Sequence, residues 1–357
     1  MQLSDFHYDL PNELIAQSPV VPRDHSRLML INRKTGDISN HYFYDLPKLL
    51  PSNYHLIANN TKVFPARLIG KKITGGSVEV LLLKKLPNSY FEAIVSPGLK
   101  VGQDVKFTDQ LSATVDGVDD RIRLLKFSQI DPLLTEEINR HGIMPTPPYI
   151  KKMLKNKEDY QTIYAKHGFS AAAPTAGLHF TPKLLAEVSA KYGWSELTLN
   201  VGLGTFLPVK VDDIKTHHMH KESYRLDLST ANRLKTIDHQ NNKLAVVGTT
   251  TVRALESNAI LSDSRINGST DLQITPGSFE TEIFIYPPYH FRHTDALITN
   301  FHLPRSTLLM LVSAFCSYPQ TKEKFTTFQN SLLGRAYNEA VKQKYRFFSF
   351  GDAMLII

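Results

Sequence analysis

Two bends, each holding one histidine between a strand end and a helix start, carry the residue types best suited to chemistry. The first is Ala171–Thr181, AAAPTAGLHFT, with His179 close to Thr175 and Gly177. Small residues let backbone or ligand approach closely, and Gly177 can take a positive φ that other residues avoid. A tight strand-to-helix connection with a structural histidine accounts for the same letters. The second bend lies in Ile298–Phe315, ITNFHLPRSTLLMLVSAF, where Asn300 and His302 precede Pro304, Arg305, Ser306 and an apolar helix. Open α/β sheets bind ligands at the carboxyl ends of their strands, so two such bends in one sheet would bring two imidazoles to one edge. An imidazole exchanges protons near neutral pH.

Three further segments offer polar groups. Leu244–Glu256, LAVVGTTTVRALE, reads as strand, turn and helix; Thr249 and Thr250 at the helix start suit a carboxylate or phosphate. Arg253 in that first turn opposes the helix dipole unless an anion is near. Val201–Phe206, VGLGTF, offers Gly202 and Gly204 but no third glycine, and Pro208 follows where a dinucleotide fingerprint needs a helix. His217–Glu222, HHMHKE, would place His218, His220 and Glu222 on one strand face. It has no HExxH spacing and no nearby cysteine, so a polar substrate contact or a solvated loop fits better than a metal.

The elements that must hold these segments fall into two patterns. Between residues 66 and 127 six β-like runs are separated by turn signals, Gly75-Gly76 the clearest among them. This predicts an inserted all-β domain, a small barrel or sandwich over residues 63–149, within a larger domain. From Glu196 onward strands alternate with helices, which predicts a mixed α/β layered domain built from residues 1–62 and 150–357. A short helix is expected over NELIAQ, further helices over Ser229–Gln240 and Ser306–Tyr318, and one or two within Lys322–Gln343.

Composition narrows the class. With 42% hydrophobic residues the 357-residue chain can bury a proper core, and a net charge of +7 is compatible with a polyanionic partner. A single cysteine, Cys316, leaves no disulfide framework within the chain. The first residues carry acids and no apolar stretch of the kind a secretory signal needs. The longest apolar runs fall short of the roughly 20 residues that span a bilayer. A cytoplasmic protein without membrane contact is expected.

Together the segments resemble the S-adenosylmethionine:tRNA ribosyltransferase-isomerase family of queuosine biosynthesis. The resemblance rests on Arg27-Leu28, Asn59-Asn60-Thr61, Pro65-Ala66-Arg67-Leu68, Tyr160-Gln161-Thr162 with Tyr164, and AAAPTAGLHFT. It continues through VGLGTF with His218, His220 and Glu222, then VGTTTVRALE, DALITNFHLPRSTLLMLVSAF and the closing YRFFSFGDAMLI. Asp159, Asn200 and Pro288 depart from residues usual in that family.

The resemblance implies a mixed α/β domain with an inserted barrel. It also implies transfer and isomerisation of the ribosyl part of S-adenosylmethionine onto 7-aminomethyl-7-deazaguanine at the tRNA wobble position, giving epoxyqueuosine, adenine and methionine. S-adenosylmethionine is then a cosubstrate; no permanent cofactor or metal is implied, and the partner is a tRNA anticodon stem-loop met by a monomer. On this footing His179 and His302 are the acid/base candidates, with Asp352 behind them. Phe180 and Tyr164 would face the sulfonium. Thr249, Thr250 and Arg253 would hold the methionine carboxylate, and His220 and Glu222 the ribose hydroxyls. Thr175, Gly177, Gln161, Gly202, Gly204 and Asn300 complete the expected substrate contacts. Lys71, Lys72, Lys84 and Lys85 on the barrel, with Lys151, Lys152 and Lys155 beside it, would track phosphates. Two other classes share parts of the pattern: a non-catalytic RNA-binding barrel, and a methyltransferase that would leave S-adenosylhomocysteine.

Overall fold

A computed structural model provides the structure and describes residues 1–154, 156–202, 209–237, 241–263 and 274–357. Its centre is a nine-stranded sheet. Across it run Gly277–Thr281, Glu222–Leu226, Trp194–Leu199, Tyr54–Asn59, Lys243–Val247, Ala296–Asn300, Ala353–Ile356, Arg27–Ile31 and Ile38–Tyr42. The four middle strands, from Trp194–Leu199 to Ala296–Asn300, are mutually parallel. Ala353–Ile356 lies antiparallel to Ala296–Asn300 and parallel to Arg27–Ile31, so the sheet is mixed. The middle strands read as unbroken apolar runs because both faces are covered; all six residues of Tyr54–Asn59 are buried.

One face packs on Thr307–Phe315 and Leu332–Lys342, the other on Pro182–Tyr192 and the chain near Phe43. Thr307–Phe315 is buried nearly all round. Leu309, Met310, Leu311, Val312, Ala314 and Phe315 are each at most 2% exposed, and each of these side chains larger than alanine contributes about 1.5–3 kcal/mol relative to exposure. Ser306 caps this helix by accepting from the Leu309 N–H. Thr181 caps Pro182–Tyr192 in the same way, and Gly193 ends it at φ +77.

The second unit is a closed antiparallel barrel in the order Ile122–Phe127, Tyr90–Ser96, Ser77–Lys85, Arg67–Lys72, Asp104–Lys106 and Ser112–Asp119. All six strands expected from the sequence are present. Closure abolishes the free edges a six-stranded sheet would expose. The barrel has its own core, with Leu68, Val78, Val80, Leu82, Phe91, Val105 and Leu125 inside.

Several helices are shorter than their letters suggest. NELIAQ forms one 3-10 turn, Asn12–Leu14, because Ile15 turns away to bridge Phe347. The helix expected over Ser229–Gln240 is described as Leu228–Lys235, and residues 238–240 lie outside the described set. Within Lys322–Gln343 the described helix is Leu332–Lys342, whose first turn is capped by Ser331.

Candidate active site

At the carboxyl ends of the parallel strands Lys243–Val247 and Ala296–Asn300 the chain opens a cavity of about 430 Å³. Three of the segments singled out from the sequence form its walls: 172–176, 248–250 and 299–308, with Tyr149, Tyr160, Phe348 and Ser349 closing the side. For 248–250 and 299–308 the convergence follows from topology, since parallel neighbours deliver their following loops to one edge; 172–176 follows His167–Ser170, a strand of a separate two-stranded sheet. Gly248 makes the first turn possible at φ +87, and the helix Thr249–Asp263 starts directly after it. Thr249 and Thr250 are buried and line the cavity, as do Thr175 and Asn300.

His302 is the imidazole of the cavity wall. Its backbone is pinned on both sides: the N–H donates to Tyr337 Oη at 2.8 Å and the carbonyl accepts from Tyr8 Oη at 2.5 Å. Nε2 meets Thr299 Oγ1 at 2.9 Å, while Nδ1 has no hydrogen-bond partner among the described residues. Burial lowers its pKa to about 3, so the ring is neutral at pH 7.

His179 lies one layer back. Both its nitrogens are taken: Nδ1 meets Ser26 Oγ at 2.7 Å and Nε2 faces the Asn300 amide nitrogen at 3.0 Å. Asn300 Oδ1 in turn accepts from Thr175 Oγ1 at 3.1 Å. The His179 ring stacks on Phe43 with centroids 4.9 Å apart. Burial first, then the nearby Arg346 and Arg23, lower its pKa to about 3. With the Asn300 NH₂ donating to Nε2, the ring proton sits on Nδ1 and points at Ser26. The two bends are therefore one hydrogen-bonded chain, Ser26–His179–Asn300–Thr175, with His302 beside it on the cavity wall.

The remaining sequence candidates fall elsewhere. Asp352 is buried and accepts from the Arg27 and Arg346 backbone N–H groups, at 2.9 and 2.8 Å, with Arg27 Nε at 3.3 Å. It fastens the C-terminal bend to the strand Arg27–Ile31. Gln161 exchanges two hydrogen bonds with the Val63 backbone, both 2.9 Å, acting like a piece of strand. Tyr164 and Phe180 pack with Trp194 in the opposite core layer. Gly177 is not a positive-φ residue; it sits in the 3-10 turn Thr175–His179. A Cβ there would stand 1.9 Å from Tyr164 Oη, so the missing side chain makes room for a tyrosine.

Arg253 and Glu222 form a buried ion pair, and Glu222 also accepts from the Gly202 N–H at 3.0 Å. Arg253 is thereby turned towards a carboxylate of its own chain. His218 and His220 are exposed and precede the strand, which begins at Glu222, so they share no strand face with it. Among the described residues no group of histidine, cysteine, aspartate and glutamate is placed to hold a metal. Gly204 and Lys155 lie outside the described residues.

Of the lysines, Lys71, Lys84, Lys151 and Lys152 are exposed. Lys71 sits opposite Lys106 across the barrel strands. Lys85 is paired with Asp131. Lys151 and Lys152 follow the wall residue Tyr149 along the chain. Tyr149, Tyr160 and Ser349 received no site role from the sequence, although Tyr160 and Ser349 stand in segments that carry the resemblance. Tyr149 Oη meets Ser349 Oγ at 2.8 Å, and the phenols form a polar seam on the wall.

Residues 3–356 match the family model described as Queuosine biosynthesis protein. Proteins called S-adenosylmethionine:tRNA ribosyltransferase-isomerase from Symbiobacterium thermophilum, Thermotoga petrophila and Clostridioides difficile are 47%, 46% and 45% identical, each aligned over 100% of both chains. A crystal structure of S-adenosylmethionine tRNA ribosyltransferase from Thermotoga maritima covers 99% of this chain and 100% of its own, at 36% identity and a TM-score of 0.53. By this full-length match, the chain belongs to the queuosine biosynthesis protein family.

Proposed function

We propose that this chain transfers and isomerises the ribosyl part of S-adenosylmethionine onto 7-aminomethyl-7-deazaguanine at the wobble position of a tRNA anticodon. The products are epoxyqueuosine, adenine and methionine. The observation that carries this reading is the cavity itself: 172–176, 248–250 and 299–308, distant in sequence, meet around about 430 Å³ with a single free imidazole nitrogen on the wall. That volume lies within the range of ordinary small-molecule sites.

The sulfonium makes the neighbouring C5′ proton acidic, so the reaction needs a base. His302 takes this role. With Nε2–H donating to Thr299, Nδ1 offers its lone pair to the cavity. His179 acts through Asn300, holding that amide in one orientation. Thr249, Thr250 and the N–H groups beginning the helix Thr249–Asp263 receive the methionine carboxylate. The aromatic faces of Tyr149, Phe301 and Phe348 take the sulfonium. The chain acts as a cytoplasmic monomer, with S-adenosylmethionine as consumed donor, and residues 63–149 serve as an inserted domain that helps grip the tRNA.

Mass spectrometry after incubation with S-adenosylmethionine and an anticodon stem-loop bearing the aminomethyl-deazaguanine tests the reading. Adenine plus methionine is the expected outcome. S-adenosylhomocysteine, or no turnover with stem-loop bound, would overturn it.

A further inference from the structure

We propose that Arg305 grips a backbone phosphate of the bound RNA at the mouth of the cavity, beside the nucleotide whose base enters. The inference rests on the functional reading above and assigns its entry point. Among the described residues that line the cavity, Arg305 is the charged one; the rest are apolar, hydroxyl, amide, phenol or imidazole groups, with no carboxylate. Arg305 is exposed, and among the described residues its guanidinium has neither an ion-pair nor a hydrogen-bond partner.

The backbone under this free cation is held. The Arg305 N–H donates to the Phe6 carbonyl at 3.0 Å. Its φ is +59, a conformation a side-chain-bearing residue adopts only where its surroundings impose it. Ser306 then locks the following turn, donating to the Leu303 carbonyl at 2.8 Å and accepting from Leu309 N–H at 3.2 Å. The guanidinium thus swings from a fixed base, which reduces the ordering cost of a contact. Exposed Lys151 and Lys152, following Tyr149, add positive charge near the same wall.

A base splayed from an RNA loop can enter a cavity, but its phosphates stay outside. A free arginine at the mouth meets that backbone, and its planar fork matches two phosphate oxygens. The methionine carboxylate has a separate place at Thr249 and Thr250, deeper and buried.

The test compares Arg305→Ala, Arg305→Lys and Arg305→Gly by KM for stem-loop RNA, KM for S-adenosylmethionine, and salt dependence of RNA binding. Arg305→Ala should raise KM for RNA about tenfold, leave that for S-adenosylmethionine within about twofold, and flatten the log–log salt slope by about 0.7, one contact on a single strand. Arg305→Lys should keep the slope. Arg305→Gly, which relieves the positive φ, should match Arg305→Ala. A raised KM for S-adenosylmethionine with RNA binding unchanged would overturn the proposal, because the guanidinium would then hold the carboxylate. An unchanged slope in Arg305→Ala and Arg305→Gly, with wild-type melting, would also overturn it. RNA-binding slopes need no turnover, so failure of the wild-type chain to release adenine would defeat the functional reading while leaving this test intact.

Discussion

At the scale of single residues, the two histidines separate by their free valences. His302 has an unpartnered nitrogen in the cavity wall, whereas His179 spends both nitrogens on Ser26 and Asn300. His302→Gln should therefore lower single-turnover kcat by about 10²–10⁴-fold, the usual range for a lost acid/base group. His179→Ala should cost less and should resemble Asn300→Ala; a larger loss at His179 than at His302 in single-turnover kinetics would reverse the assignment. The same burial has a consequence for stability. Both rings have folded pKa values of about 3 against about 6.5 unfolded. Below pH 6.5 the unfolded chain binds protons the folded chain refuses. Their contribution is thus whole above pH 6.5 and lost as pH falls towards 3, at up to about 1.4 kcal/mol per pH unit for each ring. Denaturant unfolding from pH 7 to 4.5 should show this slope, and a His179→Gln, His302→Gln double variant should flatten it, with His55, also lowered by burial, still acting in the same direction.

At the scale of elements, the site depends on tight contacts between loops and strands. Gly177→Ala would push a methyl into Tyr164 Oη, in a turn packed between sheet and helix. We expect a loss of about 1–3 kcal/mol from overpacking. Because Tyr164 Oη is itself buried without a partner, Tyr164→Phe should be close to neutral and should rescue part of the Gly177→Ala loss; chemical denaturation of all four proteins completes the cycle. A second clamp is the buried Arg253–Glu222 pair, which ties the helix Thr249–Asp263 to the strand Glu222–Leu226. Glu222→Gln should destabilise by about 3–5 kcal/mol, since it leaves the guanidinium buried and uncompensated. A melting temperature within a degree of wild type would show that Glu222 is not what neutralises Arg253.

At the scale of the whole molecule, a cavity whose one charged lining residue among those described is Arg305 sits at one sheet edge, while exposed lysines lie on the barrel and beside the cavity wall. RNA affinity should fall steeply with salt, and Lys151→Gln with Lys152→Gln should flatten the slope by about 1–2. Lys85→Gln should change it little, because Lys85 is already paired with Asp131. Filter binding of the stem-loop across a salt series measures both; equal affinity at low and moderate salt would remove the lysines from the interface.

The amino-acid sequence alone determined the family, an α/β domain with an inserted run of six strands, and three of the segments that wall the cavity; that the sheet is mixed and the six strands close into a barrel came from the tertiary structure. The features read from sequence are local properties: strand periodicity, turn residues and caps are written in neighbouring letters, and motifs such as AAAPTAGLHFT and TNFHLPRST carry the family resemblance when taken together. Tertiary structure alone decided which of the polar residues within those motifs face the cavity. His179 and His302 read alike as letters, and only the pairing of His179 with Asn300 and Ser26 sets it a layer behind. Gly177 read as space for a ligand and is space for Tyr164. Arg253 read as an anion receptor and already has Glu222. Such assignments depend on partners far along the chain, 121 and 153 residues from His179 and 31 from Arg253, or on the opposite face of a turn. Periodicity cannot encode them, because hydrogen-bond valences and side-chain volumes are shared out only when the chain has closed on itself.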